Sequence, residues 1–300
     1  MNSPYEISKL CLEYGINKAN RPKIKAFILS ILGGFFIGAS SCLSLICSYY
    51  YIGGKAQYYN GLVFPIGMAA IYCGGAELYM VNCLLIIPLF VRKITYIQML
   101  LTWLISFIGN FIGSILISLL VVYGHIPNMF QVSLAQNIII NGINKCSLNF
   151  AEVFIQGLLC NFYICLGFWV SLGGKELSSI ILGLWTPVFI SAACDLQHSV
   201  ANMFYITSAL FSSYEYGLDN INLNWGKLFY KNLIPATLGN IVGGCLIGFT
   251  YYYIYLTYDK EKFPNININN DINSSNNKNN NNDNDINNII NDSQKNLHND

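Results

Sequence analysis

Two stretches of this chain, residues 61–91 and 177–209, are apolar almost throughout, yet each is too long for one straight helix across a bilayer. About 20 residues span the hydrocarbon core as a helix. Each stretch also contains helix-breaking residues. The first has Pro65, then Gly74 and Gly75; the second has Pro187, then the polar Asp195-Leu196-Gln197-His198. A helix opened inside a membrane is tolerated only where its freed backbone lines a cavity or is buried in protein. The two breaks therefore predict a bundle whose interrupted helices face inward.

Four more apolar runs, at 24–52, 97–123, 149–172 and 229–257, complete six crossings. Charged residues are 10% of the chain, against about 25% in a typical soluble protein. A soluble globule is excluded on that ground. A net charge of +1 excludes the basic face that a nucleic-acid partner needs. The expected fold is an all-α polytopic membrane protein with six transmembrane helices, of which the second and fifth are broken.

Residues 1–23 read as an amphipathic segment. Ser3-Pro4-Tyr5-Glu6 forms a capping box ahead of Ile7, Leu10, Leu12 and Tyr14, which predicts a short helix on the membrane surface. Glu6, Lys9 and Glu13 leave no apolar core for a signal peptide. Residues 24–258 are expected to form the six-helix membrane domain. Residues 259–300 form a tail; beyond Pro264, asparagine fills 17 of 36 positions. Such a tail cannot bury enough apolar surface to fold and is expected to be disordered. With six crossings the termini share one side, which receives 12 of the 16 Lys and Arg residues. Both termini are therefore expected in the cytoplasm, where the glycosylation sequons at Asn273 and Asn291 would stay silent. Eight of the ten cysteines lie inside apolar runs and none forms a Cys-x-x-Cys pair, so packing is their expected role.

A weak duplication runs through the chain. Gly109-Asn110-x-x-Gly113 matches Gly239-Asn240-x-x-Gly243, Glu77-x-x-x-x-Asn82 matches Gln197-x-x-x-x-Asn202, and Pro65 matches Pro187. The offsets are 130, 120 and 122 residues, in the same order. Each half holds three crossings, an odd number, so the second half enters the membrane inverted. Inverted repeats with paired broken helices place a transport site at the repeat interface.

Ionisable residues inside the spans are Glu77, Glu152, Asp195 and His198. Facing lipid, each would be costly, which makes each a candidate for function. His198 follows the second break, at the start of a half-helix, where free N–H groups and the helix dipole attract anions. Glu77 sits at the first break, where the dipole would stabilise an acid, and Asp195 reads as the N-cap of the second half-helix. Lys145, in the loop before residue 149, could draw anions to the mouth. No metal spacing, Walker loop, nucleophile elbow or dinucleotide fingerprint appears, so neither a cofactor nor enzymatic chemistry is expected.

These residues resemble the formate/nitrite transporter family. The likeness runs from about residue 10 to 257. It is carried by Phe64-Pro65-x-Gly67 with Gly75-Ala76-Glu77-Leu78-Tyr79-Met80-Val81-Asn82, by Gly109-Asn110-x-x-Gly113, and by Lys145 sixteen residues before Asn161. Gln197-His198-Ser199-Val200-Ala201-Asn202-Met203 and Leu233-Ile234-Pro235-Ala236-Thr237-Leu238-Gly239-Asn240-x-x-Gly243 complete it. The resemblance implies an aquaporin-like fold and a homopentamer with one pore per protomer. It further implies transport of small monocarboxylate anions or nitrite, often with a proton. The chain is similar to the protozoan lactate/formate branch, whose members are commonly proton-linked lactate exporters, and a plasma-membrane location is expected. By the same resemblance His198 is the central pore histidine, Asn161 its neighbour, Lys145 part of an anion-attracting vestibule, and Phe64 part of an apolar constriction. Gln197, Asn202, Asn82 and Met80 fall in the same pore motifs, and Gly74 and Gly75 at the first break.

Met80 stands where the family usually has Thr, Gln197 where it has Glu, Asp195 where it has Gly, and Ser191 at a constriction phenylalanine. Selectivity at the centre is therefore expected to depart from the family pattern. Two alternatives remain at this level: a channel for another small solute, and a selectivity-altered or non-transporting paralogue acting as a membrane sensor or scaffold.

Overall fold

Residues 23–50 lack any acid in the first turn or base in the last, and they form a single apolar helix. The computed structural model describes residues 1–50, 56–130, 132–217 and 222–258. The tail expected over 259–300, and Lys55, lie outside the described residues. Met1–Tyr253 forms one unit; the remainder, Ile254–Asp300, is described only to Tyr258 and is helical there.

In chain order the helices are α1 (Pro4–Asn20), α2 (Lys23–Tyr50), α3 (Ala56–Val63), α4 (Pro65–Gly74), α5 (Val81–Phe90) and α6 (Tyr96–Tyr123). They continue as α7 (Val132–Lys145), α8 (Phe150–Ser171), α9 (Leu177–Ala193), α10 (Ser199–Glu215) and α11 (Ile234–Tyr251). Helices α2, α6 and α8, and α11 with its flanking turns, are long and apolar enough to cross a membrane. The other two crossings are split, one into α4 and α5, the other into α9 and α10. This is the expected arrangement: six crossings in two inverted halves, aquaporin-like, with the second and fifth broken.

The duplication is visible in packing. Helix α2 lies against α6 in the first half, and α8 lies against α11 in the second. Gly113 faces the carbonyl oxygen of Ile31, and Gly243 faces that of Leu158. A Cβ at either position would run into a backbone oxygen, so glycine alone permits these close crossings. The prolines are not equivalent, however. Pro65 opens α4, whereas Pro187 lies inside α9, and the chain breaks only after Ala193.

Both breaks close in the same way. After α4, Gly75 adopts a left-handed backbone with φ of +69°, and the Ala76 N–H donates to Ile71 O at 3.0 Å. After α9, Asp195 does so with φ of +51°, and the Leu196 N–H donates to Ser191 O at 3.1 Å. This six-to-one bond with a left-handed residue is the Schellman helix end. The sequence reading of Asp195 as an N-cap is therefore corrected: Asp195 terminates α9, and His198 caps α10.

One asparagine clamps each break. The Asn110 side chain donates to Ser30 O at 2.7 Å and Glu77 O at 2.9 Å, and accepts from the Tyr79 N–H at 2.9 Å. Asn240 donates to Gly157 O at 2.7 Å and Gln197 O at 3.0 Å, and accepts from the Ser199 N–H at 3.0 Å. Backbone groups freed by unwinding are thus satisfied by side chains from α6 and α11.

The N-terminal helix begins with the expected Ser3–Glu6 capping box. Its apolar face, expected against lipid, instead buries Ile7, Cys11, Leu12 and Ala19 against protein, with α5, α6 and α8 as neighbours. All ten cysteines are free. Helices α3 and α7 were not anticipated. Helix α7 carries Gln136, Asn137, Asn141 and Asn144, too polar to stand out in a hydropathy profile.

Candidate functional site

Helices α4 and α9 end at the breaks and carry the walls of the path between the two vestibules. On the α1 side, a cavity of about 300 Å³ is lined by Tyr14, Lys18, Arg21, Met68, Leu78 and Leu184, among others. On the other side, a cavity of about 420 Å³ is bordered by Asn144, Lys145, Gln156, Asp195 and Gln197. Beneath it lies a pocket of about 20 Å³, lined by Phe64, Lys145, Ser191, Asp195, His198 and Tyr205. That small pocket has room for roughly one water. It shares Lys145, Asp195 and Leu196 with the 420 Å³ cavity and no residue with the 300 Å³ cavity. One turn of α4 separates Phe64 from Met68, and two turns of α9 separate Leu184 from Ser191, so an apolar neck divides the vestibules.

His198 stands at this neck. As N-cap of α10, its Nδ1 accepts the Ala201 N–H at 3.1 Å. A neutral ring so engaged carries its proton on Nε2, an assignment that follows from the hydrogen bond. The buried Nε2 has no hydrogen-bond partner among the described residues. The Phe64 ring meets the imidazole edge to face at 5.5 Å between centroids. The site therefore offers one N–H donor at a helix N-terminus, with Phe64 on one side and Lys145, Ser191 and Asp195 lining the same pocket.

Lys145 is not the solvated loop lysine that its sequence context suggested. It ends α7 and is buried, with Nζ 2.8 Å from Asp195 Oδ1 and 3.3 Å from Asp195 O. The Tyr205 ring lies 5.7 Å from the ammonium. Glu77 also departs from expectation. It precedes α5 rather than lying in its first turn, and two cations answer it instead of a dipole. Lys18 Nζ and Arg21 Nη1 each lie 2.6 Å from a Glu77 carboxylate oxygen.

Met80, Asn82, Asn161 and Asn202 are buried but border none of these three cavities. Asn161, expected beside the histidine, instead donates to Met80 O at 3.1 Å and Asn240 O at 2.7 Å, bracing the first break against α11. Trp103 donates to Asn82 O at 2.7 Å, while the Asn82 side-chain amide has no partner among the described residues. Gln197 borders the 420 Å³ cavity with its side chain held by amides: Asn202 and Asn232 donate to its Oε1 at 2.8 and 3.2 Å, and it donates to Gln156 at 3.0 Å. Glu152 lies on the surface in a capping box with Asn149. Gly74 ends α4 ahead of Gly75.

Sequence reasoning missed Asn232 and Tyr205. Asn232 also donates to Lys145 O at 2.7 Å and so holds the lysine's backbone. Its only sequence signal is a polar residue at the start of an apolar run.

Comparison with known proteins bears directly on this architecture. The sequence profile of the formate/nitrite transporter family matches residues 5–254. The chain belongs to that family. A Bacillus subtilis protein, an uncharacterized transporter, is 30% identical over 86% of this chain and 96% of its own length. The formate channel FocA of Escherichia coli is 30% identical over 84% of this chain and 94% of its own length. A solved pentameric formate channel with formate bound superposes with a TM-score of 0.68 at 25% identity, covering 78% of this chain and 98% of its own. This member of the formate/nitrite transporter family is thus a multi-pass membrane protein. Asp195 joins the second break to the buried lysine. It puts a side chain on a left-handed turn residue and a carboxylate on the vestibule lysine.

Proposed function

We propose that the protein carries small monocarboxylate anions together with a proton, through a pore in each protomer of a homopentamer in the plasma membrane. Formate is the leading substrate, with lactate and nitrite in the same size class. Both termini face the cytoplasm on this reading, which the Lys and Arg asymmetry supports. The observation that carries the proposal is the buried Nε2 of His198, without a hydrogen-bond partner among the described residues, in a small pocket that Phe64, Lys145 and Asp195 also line, in a chain of this family.

The chemistry follows from the neck. A dehydrated carboxylate in an apolar collar is too costly to pass as an ion. A neutral acid crosses readily, and a low dielectric favours that form. The Nδ1 of His198 is committed to the helix cap, so Nε2–H serves as a hydrogen-bond donor to the passing carboxyl group. The proton itself comes from vestibule water. Half-helix N–H groups add positive potential to the same point.

Uptake of labelled formate and L-lactate into vesicles holding the purified protein, at external pH 5.5 and 7.5, tests this. Uptake of either that rises at pH 5.5 and collapses with a protonophore is the expected result. An assembled oligomer that moves neither anion would refute the reading.

A further inference from the structure

The Lys145–Asp195 pair supports a step beyond this reading, though it rests on carboxylate transport. We propose that the Asp195 carboxylate is a tethered occupant of the Lys145 anion site, which an incoming carboxylate must displace before it reaches the neck.

Three observations lead there. First, Asp195 takes two of the lysine's three N–H donors. Among the described residues, its ammonium meets Asp195 Oδ1 at 2.8 Å and Asp195 O at 3.3 Å, with the Tyr205 ring at 5.7 Å. An incoming anion therefore competes with the Asp195 carboxylate for the strongest of these donors, the one at 2.8 Å. Second, exposure differs sharply across the pair: the Lys145 side chain is 4% exposed and that of Asp195 53%. A solute in the 420 Å³ cavity therefore meets the carboxylate before the cation. An exposed acid is free to leave, whereas the buried lysine is fixed, with its backbone carbonyl held by Asn232.

Third, the backbone at position 195 does not itself call for a carboxylate. Both halves of the chain end a helix with a left-handed residue, and the first half uses Gly75 there. Residues with a Cβ are disfavoured in this region, although Asp and Asn tolerate it best. Glycine would make the turn without strain. A carboxylate kept at a strained position and aimed at the vestibule's cation is the kind of outlier from which a functional role is inferred. The side chain carries the same functional group as the proposed substrate, so the two compete for one set of N–H donors. Asp195 then sets the concentration at which the pore loads.

Equilibrium binding of labelled formate to the purified protein, read by scintillation proximity, tests the proposal without requiring translocation. Two variants remove the carboxylate while keeping the turn: Asp195→Asn retains shape, and Asp195→Gly relieves the left-handed backbone. Glu152→Gln, an exposed acid in the first turn of α8, controls for general loss of negative charge. Both Asp195 variants should bind formate about two- to fivefold more tightly, the scale of an exposed ion pair that need not be broken. Glu152→Gln should match wild type. Unchanged or weaker binding in both Asp195 variants, no measurable binding in any of the proteins, or equal tightening in Glu152→Gln overturns the proposal. Wild-type vesicle flux reports separately on transport: tighter binding in the variants without wild-type flux leaves this inference standing and removes the transport reading.

Discussion

Lys18 reaches Glu77 at 2.6 Å, so the N-terminal helix is tied by a buried ion pair to the break in the first interrupted crossing. Both side chains are nearly inaccessible, and Arg21 closes on the second carboxylate oxygen. A charge cannot be left unpaired at such a site without a large penalty. The arrangement makes the N-terminal segment part of the wall of the 300 Å³ vestibule, which Tyr14, Lys18 and Arg21 help to line.

Replacing Glu77 by Gln should therefore destabilise the protein by about 3–5 kcal/mol, because two cations lose their anion in a dry site. Pairing it with Lys18→Met should recover part of that loss. Thermal unfolding followed by size-exclusion chromatography in detergent measures both. A single Glu77→Gln variant as stable as wild type would contradict the buried-pair assignment.

The asparagine clamps predict symmetric penalties. Asn110→Ala strands the Tyr79 N–H, and Asn240→Ala strands the Ser199 N–H, each at a cost of roughly 1–3 kcal/mol per unsatisfied buried group. Melting temperatures of the two variants should fall by similar amounts. A marked drop for one with none for the other would show that the two halves do not share this device.

Gly113→Ala and Gly243→Ala should each force a helix pair apart, since the added methyl meets backbone rather than a movable side chain. Overpacking of this kind costs about 1–3 kcal/mol or more. The expected outcome is low yield of folded protein for both. Normal yield and stability in either variant would mean that the crossings are looser than described.

His198→Phe should abolish formate uptake in vesicles while the oligomer still assembles, since the ring volume remains and the Nε2–H donor is lost. The missing N-cap removes roughly 0.5–2 kcal/mol of helix stability. His198→Asn, whose side-chain oxygen can still cap α10, separates cap from donor. Wild-type flux in His198→Phe would remove the histidine from the transport path.

Much of the site was legible in the sequence because its signals are local. Pro65, Gly74 and Gly75 announce the first break, and a polar quartet inside an apolar run announces the second. The repeated Gly-Asn-x-x-Gly segments locate the clamps, although nothing local says that the asparagine rather than the glycines closes the break. Asn161 shows the opposite case. The family resemblance implied a place beside the histidine, and its amide in fact spans from Met80 O to Asn240 O. Which buried asparagine lines a pore and which braces a backbone depends on neighbours 80 residues away, and spacing does not carry that information.

The sequence by itself determined the six crossings, the two breaks and the inverted duplication, because hydropathy and helix-breaking residues act over a few turns of one chain. Tertiary structure decided the partners: Lys18 and Arg21 for Glu77, Asp195 for Lys145, and the Phe64 ring for His198. Charge pairing in a dry interior depends on distance and burial. Only the folded chain sets those, by bringing α1 to the first break and α7 to the second.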